Sequence, residues 1–364
     1  MKNKRVQADF ISNPALEFSA ALFILANASK NTALSAETGT PPDEKLFEIG
    51  RFAEGKCSSF LQKEIHFFMD QDKWSLPHIS PINGLPFRFA LQAPAVRSVN
   101  DLIHRIETAG EARFLSILAV EAFGGATAAK KGLTRDSFLE RINTLPPEDD
   151  ALKSKLAECL ESPVETLHRL GFAMRQFYET VYRHFEDGIL AETEPFRKRY
   201  RELFEKDPEG FLADYFKTGV DDIKDNLQVH VSFFMQAGIL SFWGDDPAPD
   251  CFVMGIHSEK RFGARFMRAR LLNFYKLLAD EKRLELFELL SERPWYVNEL
   301  AERLGLAAST VSHHLGFFIR SGLVRLCREE HRQYYSLEAE KVEELLERSV
   351  RLFLKGGIKN GQQV

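Results

Sequence analysis

The side chains that could do chemistry fall into groups that ask for different reactions. Asp221-Asp222-Ile223-Lys224-Asp225 spells DDxxD, a spacing that can hold Mg²⁺ and a diphosphate when a second acidic cluster faces it. No second cluster is evident, because Glu148-Asp149-Asp150 follows Pro146-Pro147 in a loop. An acidic turn ahead of a strand is therefore the expectation. Glu165-Thr166-Leu167-His168 is a single ExxH, whereas a di-iron bundle needs two such motifs and two more carboxylates. His184, His230 and His257 read as surface or structural histidines. Cys57, Cys159, Cys251 and Cys327 lie too far apart for a zinc ribbon or a disulfide framework, which fits a reducing compartment. Gly-rich phosphate loops and GxSxG elbows are absent from the sequence. No catalytic residue, metal site or cofactor is expected, and the chain reads as a non-enzyme.

Other chemistry is available where hydroxyls, imidazoles and guanidiniums share a helix face. In Ala308–Arg320, at about 100° per residue, Val311, Leu315 and Phe318 form an inward stripe. Ser309, His313, Gly316 and Arg320 fall opposite, Thr310 and Phe317 lie on one flank, and His314 borders the core. Such a face can donate to base edges and phosphates in a major groove, and Gly316 allows close approach. A short helix, Val297–Leu304, precedes it, with Gly305 where a left-handed residue is wanted. Two helices joined by a short Gly-containing turn are a helix-turn-helix. Next come Leu323–Arg328 and Arg332–Leu337, strands of a hairpin around Glu329-Glu330-His331 that carries Arg325, Arg328, His331 and Arg332. A helix-turn-helix followed by a basic hairpin is a winged helix, with residues 324–337 as the wing.

These elements sit on a chain of uneven charge. The total is −5, from 48 Lys+Arg against 53 Asp+Glu, a mild argument against nucleic acid. Residues 263–364 hold 17 Lys+Arg and 14 Asp+Glu, net +3, which leaves 31 against 39, net −8, in front. The fold class read from the pattern is mainly α. A helical domain over 1–262 ends in a β segment at about 227–256; a winged helix-turn-helix spans 263–356, and 357–364 is a tail.

In the first domain apolar residues recur at helical spacing in Asp43–Phe68, Val99–Phe123, Leu152–Leu160, Val164–Phe185 and Glu194–Phe204. Breaks are expected at Thr38–Pro42, Leu76–Pro86, Gly124–Gly132, Leu145–Asp149 and Asp207–Gly210. Leu227–Phe234, Gly238–Trp243 and Cys251–Ile256 read as strands. Met1–Arg5 is basic, Phe18–Ala26 is apolar, and Ala26-Asn27-Ala28 imitates a signal-peptidase site. Asp9, Asn13, Pro14 and Glu17 interrupt that pattern, so an amphipathic helix entering the core is expected instead. No apolar run approaches the ~18 residues of a membrane helix; a cytoplasmic chain without membrane contact is expected. Of 31 Phe residues, 25 lie at or before residue 262, enough to fill a helical core or to line a cavity for an apolar small molecule.

The run Leu277–Leu337, with "LADEKRLELFELL", "VNELAERLGL", "STVSHHLGFF", "SGLVRLCRE" and "QYYSL", resembles the ArsR/SmtB family of winged-helix repressors over about one quarter of the chain. The resemblance implies a homodimer that occupies a near-palindromic operator in double-stranded DNA and leaves it when an inducer binds. It places recognition on Ser309, Thr310, Ser312, His313 and His314, with His313 ranked above His314 for base contact. Arg320, Arg325, Arg328 and Arg332 are the phosphate candidates by position. The family's dimer helices correspond to 264–278 and Ala339–Phe353, where Val342, Leu345, Leu346 and Phe353 make an apolar stripe. Tyr296 and Asn298 stand where the metal sensors carry cysteines, and Ala339–Phe353 has no His, so a non-metal signal is expected. Ala307 replaces a capping Ser and Glu330 a wing Gly, which implies a weaker cap and a weaker wing grip. The alternative is an enzyme or small-molecule-binding protein whose appended winged helix serves protein contacts.

Overall fold

A computed structural model describes residues 6–28, 43–70, 80–92, 94–123, 134–143, 150–224, 226–244, 249–262, 264–329 and 332–353. The chain divides into two compact units, Met1–Gly263 and Ala264–Val364. Helices dominate both. The expected breaks at Thr38–Pro42, Gly124–Gly132 and Leu145–Asp149 lie outside the described residues, as do Met1–Arg5 and the tail.

The amino-terminal unit begins with strand β1 (Gln7–Ile11) and helix α1 (Pro14–Ala26). Helices α2 (Glu44–Lys56), α3 (Ser59–Met69), α4 (Leu85–Leu91), α5 (Val99–Glu107), α6 (Glu111–Phe123), α7 (Arg135–Ile142), α8 (Asp150–Glu161), α9 (Pro163–Thr180), α10 (Glu186–Lys206) and α11 (Pro208–Phe211) follow. Strands β2 (Asn226–Ser232), β3 (Ile239–Phe242) and β4 (Asp250–Gly255) and helix α12 (Ser258–Phe262) complete it. The sheet order is β1-β2-β4-β3, with β1, β2 and β4 parallel and β3 antiparallel to β4. The β element therefore includes a strand from the start of the chain, not only residues 227–256. Phe10 pairs with Val229, and His230 pairs with Val253.

Several expected boundaries move for local reasons. Asp43–Phe68 is two helices, because Ser58 caps a new start by accepting the Leu61 N–H at 3.2 Å. Val99–Phe123 is also two, broken at Thr108–Gly110. The expected break at Asp207–Gly210 narrows to Asp207, which ends α10 and caps the short α11 that Pro208 opens. The start of α4 likewise falls inside the expected break Leu76–Pro86.

Helix α1 is not amphipathic. Every residue from Ala15 to Ile24 is buried, because the helix packs against β2 and against α3, α4, α5 and α10. Asn13 starts it, its Oδ1 accepting the N–H groups of Ala15 at 2.9 Å and Leu16 at 3.4 Å, with Pro14 pre-set for the first turn. Such a helix has no face to spare for a charge, yet it carries Glu17. The carboxylate is satisfied internally. Its Oε1 accepts the N–H groups of Phe233 at 2.9 Å and Phe234 at 3.2 Å, and its Oε2 lies 2.9 Å from His230 Nε2. The other ring nitrogen, Nδ1, accepts the Asn13 N–H at 3.4 Å, which puts the shared proton on Nε2. The nearby Tyr182 hydroxyl is buried without a hydrogen-bond partner among the described residues. Burial first, and the Glu17 charge second, push its pKa well above the usual phenol value.

Gly255 is required where β4 meets the turn before β3. A Cβ there would lie 1.9 Å from the Gln236 carbonyl oxygen, and Gln236 itself has φ +50°. The phenylalanines read as core or cavity lining are largely core: Phe10, Phe18, Phe23, Phe68, Phe87, Phe89, Phe114, Phe138, Phe177 and Phe233 are among the largest fully buried side chains.

The carboxy-terminal unit runs α13 (Ala264–Leu278), α14 (Glu281–Glu292), β5 (Trp295–Tyr296), α15 (Val297–Leu304), α16 (Ala308–Arg320), β6 (Val324–Glu329), β7 (Arg332–Leu337) and α17 (Ala339–Phe353). Its core is Leu271, Phe274, Leu286, Leu290, Leu300, Val311, Leu315, Phe318, Leu323 and their neighbours. The hairpin gains a third strand absent from the sequence reading. Trp295 pairs with Tyr335 and Tyr296 with Tyr334, in the order β5-β7-β6.

Candidate nucleic-acid interface

Helix α16 is oriented from below. Gly305 adopts φ +65°, a conformation that only glycine takes at little cost, and the Leu306 N–H closes on the Ala301 carbonyl at 2.9 Å. The chain then turns into Ala307, which offers no side-chain cap. Val311, Leu315 and Phe318 are wholly buried and lock one stripe into the core. Ser309, Thr310, Ser312, His313 and Arg320 are consequently exposed. His314 is half-buried, with Nδ1 inaccessible and unpartnered among the described residues. Nearby Asp280 has its carboxyl held below the usual range, first by the Arg283 backbone N–H at 2.9 Å. His313 and His314 thus have different surroundings, one facing water and the other the start of α14.

In the hairpin, Arg325 is exposed and its Nε pairs with Glu338 Oε1 at 3.3 Å. Arg328 lies opposite Gln333, and Arg332 opposite Glu329, flanking the tip. His331 and Glu330 lie outside the described residues. The Glu338 carboxylate therefore offsets the charge that Arg325 offers a phosphate, while Arg320 has no such competitor among the described residues. The sequence reading missed Arg283. The N-terminal end of α14 brings its guanidinium to 5.3 Å from the centroid of Phe317. The signal was a cation three residues after the capping Asp280, and nothing in the spacing says which helix it meets.

The other expectations disperse. Asp221 and Asp222 are exposed on a single 3-10 turn, where Asp222 Oδ2 accepts the Gly219 N–H at 3.1 Å; Asp225 is outside the described residues. Glu165 and His168 are exposed on α9. His257 packs edge-on against Phe196, and burial lowers its pKa. Among the described residues no group of three or more His, Cys, Asp or Glu could hold a metal ion. Among them, too, no helix is long and apolar enough to cross a membrane.

A helix-turn-helix whose second helix is followed by a β-hairpin wing defines the winged helix-turn-helix class of DNA-binding domain. Residues 280–325 match the bacterial regulatory protein, arsR family. Over 85 residues the chain is 33% identical to the transcriptional activator HlyU of Vibrio cholerae, spanning 23% of this chain and 79% of that protein. Over 106 residues it is 33% identical to the HTH-type transcriptional regulator KmtR of Mycobacterium tuberculosis, spanning 28% and 68%. A solved structure of HlyU from Vibrio cholerae covers 24% of this chain and 95% of its own, at 32% identity and a TM-score of 0.21. The chain belongs to the arsR family through its carboxy-terminal unit. In coarse terms it is a DNA-binding transcriptional regulator.

Proposed function

We propose that the protein is a dimeric repressor that reads a near-palindromic operator with α16 and grips the flanking backbone with the β6–β7 hairpin. The observation that carries this reading is the division of α16. Its inner stripe is wholly buried, and the side chains left on the surface are Ser309, Thr310, Ser312, His313 and Arg320, with Ile319 the one exposed apolar residue of the helix. Hydroxyl, imidazole and guanidinium groups in that arrangement suit base edges and phosphates. Arg325, Arg328, His331 and Arg332 are assigned to the wing contact and His314 to bracing.

Dimerisation is assigned to α13 and α17. Leu272, Tyr275, Leu346, Val350 and Phe353 are exposed there, and the Tyr275 and Phe353 rings lie 6.3 Å apart. Val342 and Leu345, grouped with them in the sequence reading, are buried in the unit's own core. A two-fold dimer would set its recognition helices about 34–36 Å apart. Signal reception is assigned to Met1–Gly263, with an apolar small molecule as the proposed inducer and no metal or cofactor.

The test is selection of bound sequences from random DNA by the purified full chain. Recovery of an inverted repeat with half-sites about one helical turn apart is the expected result. Recovery of no consensus would remove the operator reading and favour the winged helix as a protein-contact module.

A further inference from the structure

The exposed face of α16 carries an aromatic ring that a solvated recognition face does not need. Phe317 is partly exposed, while the adjacent Phe318 fills the core. Its ring is surrounded by nitrogen groups. The His313 imidazole meets it edge-on, centroids 4.8 Å apart at 79°. The Arg320 guanidinium lies over it at 4.8 Å, and the Arg283 guanidinium at 5.3 Å. A Cβ at Gly316 would lie 3.4 Å from Arg320 Nη1, in van der Waals contact, so the guanidinium also lies close over the helix backbone.

The physical consequence is preorganisation. An exposed arginine samples many rotamers, and fixing one on binding costs conformational entropy. The negative face of an aromatic ring attracts a guanidinium and restrains it before any ligand arrives. Here the restrained groups are the two side chains of the helix best suited to a base edge and to a phosphate. Arg283 and Arg320 converge on the same ring, while the Asp280 carboxylate, the ion-pair partner of Arg283 among the described residues, lies 3.7 Å from its Nε, beyond good hydrogen-bond distance. The surplus positive charge suits a phosphate oxygen.

We propose that Phe317 is a positioning residue for DNA binding, its ring holding the Arg320 guanidinium and the His313 imidazole as a preformed pair of contacts to a phosphate and a neighbouring base edge. This rests on the operator reading above and deepens it. The partner is double-stranded DNA, and the ring acts only through the two side chains that it holds.

The experiment measures affinity of the full chain for its selected DNA site across a salt series, for Phe317→Leu, Phe317→Tyr, Arg320→Ala and the Phe317→Leu/Arg320→Ala double variant, with thermal unfolding alongside. Phe317→Leu keeps an apolar side chain and removes the ring, so affinity is expected to fall about three- to tenfold. Phe317→Tyr keeps the ring face and is expected to restore binding. In the Arg320→Ala background the Phe317→Leu loss is expected to shrink, because the guanidinium that the ring positions is gone. Wild-type affinity in Phe317→Leu, or losses that simply multiply in the double variant, would overturn the proposal. So would a loss in Phe317→Leu that tracks a lowered melting temperature and is not rescued by Tyr. The operator reading fails differently, by absence of binding in the unaltered chain.

Discussion

The two units place their polar chemistry on opposite sides of their surfaces. Met1–Gly263 hides it: Glu17, His230, Ser19, Ser232 and Asn13 are buried inside an acidic domain. Ala264–Val364 displays most of it, with hydroxyls, imidazoles and guanidiniums on an exposed helix above a core of apolar side chains in which Arg348 and Ser349 are the buried polar residues among those described. A buried polar group must find all its partners within the fold, so it fixes one arrangement at high cost if disturbed. A displayed group is left open to a partner from outside, so it costs little to change and much to binding. Substitutions should therefore act on stability in the first unit and on affinity in the second.

The largest effect is expected for Glu17→Leu. It leaves His230 Nε2 and the N–H groups of Phe233 and Phe234 without acceptors, and loss of one member of such a buried pair costs about 3–5 kcal/mol. Urea unfolding followed by circular dichroism reads the loss, and an unchanged midpoint would show that the pair carries no weight. An alkaline limit comes next. Burial pushes the Cys159 and Cys251 thiols from 9.0 up to about 12, so above about pH 9 the folded state holds protons that the unfolded chain has released. Their contribution to stability is complete below about pH 9 and is lost as pH rises toward about 12. Unfolding midpoints at about pH 8 and pH 10.5 should show the drop, and a Cys159→Ala, Cys251→Ala variant should show a smaller one.

The displayed face is expected to respond more gently and in a different observable. His313→Ala should cost about 1–3 kcal/mol of discrimination at one base position. Arg320→Ala should weaken all sequences and lower the salt slope by about 1. Both should leave stability within about 0.5 kcal/mol, as surface changes do; a collapse in melting temperature instead would assign those side chains to the framework. The smallest effect is expected for Ala307→Ser, which supplies the missing cap of α16 and should stabilise it by about 1 kcal/mol. A melt of the full chain that does not rise would show that the first turn is already satisfied.

The same contrast decides what could be read from the residues alone. Val311, Leu315 and Phe318 sit at helical spacing and Gly305 marks the turn, so α15 and α16 were legible to the residue. Everything needed to orient that face lies within a few turns of chain. Strand β5 was invisible because two residues carry no period, and Trp295 becomes a strand residue only by pairing with Tyr335. Strand β1 was missed for a related reason: five residues pair with a strand more than 200 positions away. Glu17 and His230 looked like an interruption in an apolar run and a structural histidine; their meeting at 2.9 Å is a product of topology. Helix α1 read as amphipathic because Glu17, with Asp9, Asn13 and Pro14 ahead of it, interrupts the apolar pattern, although Glu17 is buried.

The pairing of β1 with β2 also sets a timetable. Gln7 lies beside Asn226, so the first strand finds its neighbour only after the whole helical stretch between them has been made. At about 5–20 residues per second, that delay is about ten to forty seconds of translation. Throughout it, the apolar segment from Ala15 to Ile24 has emerged from the ribosome with no sheet to lie on. Helices α3, α4 and α5 can cover part of it as they emerge, but the side that it turns to β2 waits until the sheet is made.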